Sequence, residues 1–315
     1  VSMTSPGVIF KNLIIVGSRV SEGNPAAKGN IRAFNANTGE LVWVFKTIPE
    51  PEEKGYESYE DPNAYLRLGG ANAWSGLTID SKNGILFAPT GSVSYDFYGG
   101  DRKGDNLFAN SILAINAESG ERLWHYQTVH HDVWDRDLPA PPVIFNYKLK
   151  DSVIPALAQV TKSGYTFLLN RITGEPIYDI VERTVPSVSS LTGEKLSKTQ
   201  PTPTFPKPFS RQYLSNSDIN PFVSEKEKDS LTKVYLSIIK DDIFSPPSEK
   251  GTLIFPGFDG GAEWGGPALD PIKNMLYVNS NEMPWILTMR KISENDSKPV
   301  SLYNKQCLMC HGVDF

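Results

Sequence analysis

Apolar positions along this chain fall in short runs, not in long helical stripes. Leu13–Gly17, Ile85–Ala88, Ile112–Asn116 and Met275–Asn279 are rich in β-branched or aromatic residues and are bounded by turn formers. Runs of this length between turn signals predict many short strands. Helical periodicity is scarce, and its clearest candidate is the short charged stretch near Ser224 to Leu231. The pattern predicts an all-β chain.

The strands recur. Ala33-Phe-Asn-Ala-Asn-Thr-Gly-Glu-Leu-Val-Trp43 matches Ala114-Ile-Asn-Ala-Glu-Ser-Gly-Glu-Arg-Leu-Trp124 position by position, and Leu168-Leu-Asn-Arg-Ile-Thr-Gly-Glu-Pro-Ile-Tyr178 is a weaker third copy. Each holds a strand, an Asn able to start a turn, a Gly suited to positive φ, and a strand ending in an aromatic ring. A second pattern occurs twice. Trp74-Ser-Gly-Leu-Thr-Ile-Asp80 continues through Gly84 to Leu86-Phe87, and Trp264-Gly-Gly-Pro-Ala-Leu-Asp270 continues through Asn274 to Leu276-Tyr277. Repeated strand–turn–strand units with aromatic punctuation predict a β-propeller; a β-sandwich with chance similarity is the competing arrangement. The turn glycines Gly39 and Gly120 are 81 residues apart, while Gly120 and Gly174 are 54 apart. Long loops must fill the difference. The stretches from Pro49 to Gly70 and from Val185 to Pro221 are expected to be those loops, covering a face where sites are built.

Composition narrows the class. The chain has 315 residues and 39% are hydrophobic, enough to bury a substantial core. Its 25 Gly and 24 Pro disfavour a helical bundle. A formal charge of −5, with no Lys/Arg block, argues against a nucleic-acid partner. The longest apolar runs are far too short to span a bilayer. Val1 opens without a Met start or an apolar leader, so the chain is expected to be a piece of a longer protein. Any membrane association is then expected to come through other parts of that protein.

The two cysteines sharpen the picture. Cys307-Leu-Met-Cys310-His311 has the spacing of c-type haem attachment, with His311 as the proximal iron ligand. A redox dithiol, half a zinc site and a simple disulfide are the rival readings. A zinc site needs four ligands, and the other histidines lie far upstream. A thioredoxin-type site needs a βαβ context that is missing.

Other chemistry concentrates upstream. Thr128-Val-His-His-Asp-Val-Trp-Asp-Arg-Asp-Leu-Pro-Ala-Pro-Pro142 packs two His, three Asp, a Trp and an Arg before a proline stop. It reads either as a polar surface loop or as a rigid loop holding a carboxylate in apolar surroundings, which suits a general base. Trp74 and Trp264 sit among small residues, which admit a flat ligand but equally suit core packing. The loops Gly17–Gly23 and Gly91–Ser94 carry oxygen donors for a hard cation such as Ca²⁺. Lys162 follows an apolar strand, where most lysines are solvated.

Taken together, these motifs resemble the quinoprotein dehydrogenases, which use pyrroloquinoline quinone (PQQ). The similarity is greatest to the glucose dehydrogenase branch and its haem-containing relatives. The Thr-Gly-Glu-Leu-Val-Trp repeat, Gly70-Ala-Asn-Ala-Trp74, the His-His-Asp stretch, Thr161-Lys-Ser-Gly, and Gly251-Thr-Leu-Ile-Phe-Pro-Gly with Glu263-Trp-Gly-Gly carry the resemblance. It implies part of an eight-bladed propeller over residues 1–300, locked by tryptophan-docking repeats, with a cytochrome c segment beginning over 301–315. Asp132 is implied as the catalytic base, and Lys162 as the lysine that hydrogen-bonds the quinone oxygens. Trp74 is implied as the ring stacked on PQQ, and Trp264 as part of a segment lining the same site. Glu22, Asn24 and Ser94 fall where that branch carries an Asp-Asn pair and a Thr at its Ca²⁺. The implied activity oxidises a sugar or alcohol hydroxyl by hydride transfer to PQQ. Electrons would pass to a haem held by Cys307, Cys310 and His311, and then to a cytochrome or quinone acceptor. Covalent haem implies a periplasmic location. The alternatives are a primary alcohol or aldehyde substrate, and a non-catalytic propeller scaffold.

Overall fold

Seventeen short strands and few helices make up the computed structural model, which describes every residue except Asn24, Asn274, 292–302 and 304–315. Cys307, Cys310, His311 and nearly all of the expected cytochrome segment lie outside the described residues, as does Asn24. Two four-stranded antiparallel meanders come first. One comprises β1 (Val8–Phe10), β2 (Leu13–Val16), β3 (Ile31–Asn35) and β4 (Leu41–Phe45); the other comprises β5 (Thr78–Asp80), β6 (Ile85–Pro89), β7 (Ser111–Asn116) and β8 (Arg122–Gln127). A three-stranded sheet follows, β9 (Val143–Leu149), β10 (Ser152–Val160) and β11 (Thr166–Asn170). Three strand pairs complete the set: β12 (Ile180–Thr184) with β13 (Thr199–Pro203), β14 (Thr252–Ile254) with β17 (Trp285–Leu287), and β15 (Pro267–Asp270) with β16 (Met275–Val278).

The apolar runs are continuous in the second meander because both of its faces are covered. Along β6, Leu86 and Ala88 join the core shared with Ile15, Ile31 and Phe45 of the first meander. Ile85 and Phe87 point the other way, into the core with Leu157, Phe167 and Leu169 of the third sheet. Side chains alternate across a strand, so one run feeds two cores and the sheets stack face to face. This is the packing of propeller blades.

The eleven-residue repeats fold alike. Asn35, Asn116 and Asn170 each accept two backbone N–H bonds through Oδ1, two and three residues ahead. The turns close on Gly39, Gly120 and Gly174 at φ 76, 78 and 79°. Both complete copies carry a register shift at the same place, between Ala33 and Phe34 and between Ala114 and Ile115. The tryptophans tie one repeat to the next. Trp43 lies against Gly120, where an added Cβ would stand 2.7 Å from the indole, and Trp124 meets Gly174 at the same 2.7 Å. Each indole N–H donates to a carbonyl three residues before that glycine, Trp43 to Ala117 and Trp124 to Arg171, both at 3.2 Å.

Two loop expectations change in the structure. Within the Pro49–Gly70 stretch, a short helix forms at Ala64–Arg67. Within the Val185–Pro221 stretch, β13 pairs with β12 along all five residues. Its two prolines lack N–H groups, so they suit a strand that pairs on one side only. The charged helix runs Glu225–Ser237, with Ser224 as its N-cap in a reciprocal capping box with Glu227.

Candidate active site

The loop after β8 alternates between two duties. His131, Asp132, Trp134 and Arg136 are at most 2% exposed and turn back into the fold. Asp135 and Asp137 turn forward, beside Lys162 and Trp74.

The inward set is a frame. Asp132 accepts four hydrogen bonds: from the Trp134 N–H through Oδ1, and from Ser92 Oγ, Asn110 Nδ2 and the Arg136 N–H through Oδ2, at 2.5–2.9 Å. A carboxylate so used holds its own loop in shape and has little acceptor capacity left for a substrate proton. The indole of Trp134 donates to the Ser245 carbonyl at 2.8 Å, and Arg136 donates to the Pro256 carbonyl at 2.6 Å. The His130 backbone makes a two-way bond with the Gln200 side chain at 2.8 Å in each direction. His131 donates through Nδ1 to the Gly104 carbonyl, and its Nε2 lies 2.8 Å from Glu194. Burial alone would raise the Glu194 carboxyl; its bonds with His131 and the Gly99 N–H outweigh burial and hold it below the ordinary range. The 185–221 stretch is thereby fastened across the back of the loop.

The outward set gathers charged groups beside an aromatic ring. The Lys162 ammonium sits 3.0 Å from both oxygens of Asp135 and 3.8 Å from Glu263. Lys162 is 7% exposed and Asp135 18%. The ammonium also lies 5.8 Å from the centroid of the Trp74 ring. The Trp74 indole donates to Asp137 at 2.7 Å, and Asp137 also takes the Ser92 N–H at 2.7 Å. Gly91 makes this approach feasible, since a Cβ there would fall 2.4 Å from the Asp137 carboxylate. Asp135 adopts φ 56°, the left-handed region, which an Asp tolerates better than most residues.

Electrostatics set Asp135 apart. Burial pushes its carboxyl well above the ordinary range; Lys162 pulls against that, and Asp137 adds to the rise. Burial alone would lower Lys162, but Asp135, Asp137 and Glu263 reverse the sign and hold it above an ordinary lysine. A buried, raised carboxyl that keeps an exposed edge is the group suited to proton abstraction. The geometry therefore adds Asp135 beside Asp132 as a candidate base. The two lie in one motif, and spacing alone does not separate a loop-framing carboxylate from a site-facing one.

The remaining expected residues divide. Ser94 is 1% exposed and donates to the Ser21 carbonyl at 2.9 Å, which joins the two loops read as cation-binding. Glu22 is exposed, 3.5 Å from Arg19. Trp264 is 73% exposed, and it is its neighbour Glu263 that reaches Lys162. Asp96, two residues beyond Ser94, is 6% exposed and was not singled out in the sequence. Burial and then the charges of Asp135, Asp137 and Glu22 push it well above the ordinary range, against Arg102. Among the described residues no three His, Cys, Asp or Glu side chains are grouped closely enough to hold a metal ion by themselves.

Residues 1–307 match the family described as PQQ: glucose/ethanol/alcohol dehydrogenase, β-propeller domain. The chain is 35% identical over 305 residues to quinoprotein glucose dehydrogenase A of Acinetobacter calcoaceticus, covering 90% of this chain and 36% of that protein. It is 33% identical over 303 residues to the quinate/shikimate dehydrogenase (quinone) of Acinetobacter baylyi, covering 93% and 36%. The quinohemoprotein alcohol dehydrogenase of Comamonas testosteroni shares the fold, with a TM-score of 0.62 at 22% identity over 89% of this chain and 37% of that one. The chain spans about a third of the length of these curated relatives. A match over almost all of its residues means that the chain belongs to the PQQ-dependent glucose/ethanol/alcohol dehydrogenase β-propeller family.

Proposed function

We propose that this chain is the site-bearing part of a PQQ-dependent dehydrogenase that oxidises a CH–OH group of a sugar or alcohol. The observation that carries this is the buried Lys162–Asp135 pair beside the Trp74 ring, in a chain of this family. The residues fit the cofactor. Trp74 offers a flat apolar face. Lys162 is a buried ammonium with three N–H groups, and among the described residues only Asp135 lies within hydrogen-bond range of it. When bound, PQQ supplies an electrophilic quinone that takes a hydride equivalent from the substrate carbon.

The chain's own residues supply the rest. Lys162 would hold a quinone oxygen, with the Trp74 ring beside it to receive the flat cofactor. Asp135 takes the substrate hydroxyl proton. Asp137 anchors the Trp74 indole and adds negative charge that favours a proton on Asp135. Glu22, Asn24 and Ser94 would hold Ca²⁺, which accepts hydroxyl and carbonyl oxygens as well as carboxylates. Cys307, Cys310 and His311 would hold haem c as the next electron carrier. The whole protein would complete an eight-bladed ring, lie in the periplasm, and deliver electrons to a cytochrome or quinone. The domain boundary is proposed near residue 300. Among the described residues, no helix is long and apolar enough to cross a membrane.

The test is a panel of sugars, polyols and primary alcohols offered to the full-length protein with PQQ and Ca²⁺. Dye reduction is read alongside reduction of the c-type haem band. Reduction with at least one substrate class is expected, and none across the panel would refute the proposal.

The Lys162–Asp135 pairing makes a separate prediction. A base must be deprotonated to act, so a raised Asp135 places the acid limb of the kcat–pH profile above the ordinary carboxylate range. Lys162 is the charge pulling Asp135 down, so Lys162→Met should move that limb to higher pH as well as slow turnover. A pH–rate profile of residual activity checks it; an unmoved limb would uncouple the two groups.

A further inference from the structure

Lys162 stands at the tip of the hairpin between β10 and β11, so its ammonium is placed only as firmly as that tip is held. One side of the tip rests on a glycine-rich loop. The Gly261 N–H donates to the Lys162 carbonyl at 2.7 Å, and the Ala262 N–H donates to the Thr161 carbonyl at 3.2 Å. A Cβ on Gly260 would fall 2.8 Å from Lys162 Cγ, so this loop lies directly against the lysine stem.

The other side meets the segment 209–212, which belongs to no strand or helix. The Phe209 N–H donates to the Gly164 carbonyl at 2.9 Å. The Gln212 amide nitrogen donates to the Ser163 carbonyl at 3.0 Å and to the Ser210 carbonyl at 3.2 Å. Both neighbours are acceptors, so the amide must turn its N–H groups to them. Gly164 lets the segment come this close, since a Cβ there would collide with Ser210 Oγ. Arg211 ties the segment down from outside. Its backbone N–H and its Nε both donate to Glu282 at 2.7 Å, and its Nη1 donates to Asp218 at 2.7 Å. The Asn281 N–H donates to the Gly261 carbonyl at 3.0 Å, so the two braces are anchored on adjacent residues. Three buried side-chain oxygens of the junction, Ser163 Oγ, Ser210 Oγ and Gln212 Oε1, have no partner among the described residues. Each is an uncompensated loss of hydration. Contacts kept at that cost point to a junction that serves placement and not stability.

We propose that Gln212 is a positioning residue for Lys162, locking the carbonyl after the lysine to the 209–212 segment and so fixing where the ammonium stands beside Asp135. This rests on the cofactor role proposed for Lys162 and adds a residue behind it. Gln212 acts through the lysine and on no reacting atom. A group that must meet its target within a fraction of an ångström depends on such backing. With the brace cut, the ammonium is less firmly held against Asp135, while Asp137 and Asp132, the other charges acting on that carboxyl, keep their own partners.

The test compares full-length wild type with Gln212→Met, which keeps the side-chain length and removes both donors. Without cofactor, amide hydrogen exchange of residues 161–165 is followed by mass spectrometry, with β6 and β7 as the internal reference. PQQ is then titrated in by quenching of tryptophan fluorescence, and a pH–rate profile is recorded. The hairpin should exchange faster in the variant and the reference strands should not. PQQ should bind about tenfold more weakly, the order expected for lost hydrogen bonds, and the acid limb should move to higher pH, as in Lys162→Met. Unchanged PQQ affinity with an unmoved limb would overturn the proposal whatever the exchange shows. So would faster exchange in hairpin and reference strands alike with a lower melting temperature, which would make Gln212 a structural residue only. Faster exchange confined to the hairpin, in a protein whose wild type binds no PQQ, would count against the proposed activity and not against the brace.

Discussion

Asp135→Asn is expected to lower kcat of the full-length enzyme by about 10²–10⁴, the usual contribution of a positioned base, with little change in melting temperature. Asp135 meets Lys162 at the front of the loop and keeps 18% of its side chain exposed. Its removal leaves Lys162 with the charges of Asp137 and Glu263. Asp132→Asn should behave in the opposite way. Asp132 accepts from Ser92, Asn110 and the backbone of Trp134 and Arg136. An amide presents one acceptor atom and turns N–H groups toward the other donors, so charge-assisted bonds worth roughly 1.5–3 kcal/mol each are lost. The Asp132 variant should lose stability first, and activity only as the loop loosens. Steady-state kinetics and thermal melts on both variants decide between the two carboxylates. A stable, inactive Asp132→Asn beside an active Asp135→Asn would return the base role to Asp132.

The other large effect lies in the blade contacts. Trp124→Ala should cost about 3–5 kcal/mol, the range for emptying a buried large aromatic site, with the indole bond to the Arg171 carbonyl lost as well. The ring closes the gap above Gly174, so its removal opens a cavity between consecutive repeats. Trp43→Ala should behave alike, because Trp43 sits on Gly120 with the same spacing and the same bond. Urea unfolding of the full-length protein measures both. A loss below about 1 kcal/mol for either would mean that the repeats are held by the apolar cores alone.

The repeats were legible in the chain because each is a local object. An Asn that caps its own turn, a Gly at positive φ and an aromatic ring a fixed distance later all act within eleven residues. The helix at Glu225–Ser237 was legible for the same reason, through Ser224 and Glu227. The pairing of β13 was not, because two prolines disguise a strand that needs only one partner.

The site divides along the same line. Local sequence marked the His-His-Asp loop, Lys162, Trp74 and the two oxygen-rich loops as chemically unusual. It did not say which carboxylate faces which way. That choice was made by partners far along the chain: Ser92 and Asn110 for Asp132, Lys162 for Asp135, and Trp74 for Asp137. Asp96 escaped notice because burial beside other carboxylates, and not its local sequence, makes it unusual. By itself, the sequence determined the β-repeat architecture and the family, since turn chemistry and strand periodicity act between near neighbours. Only the tertiary structure decided which partners and how much burial each carboxylate has, since desolvation and charge pairing depend on groups brought together from distant parts of the chain.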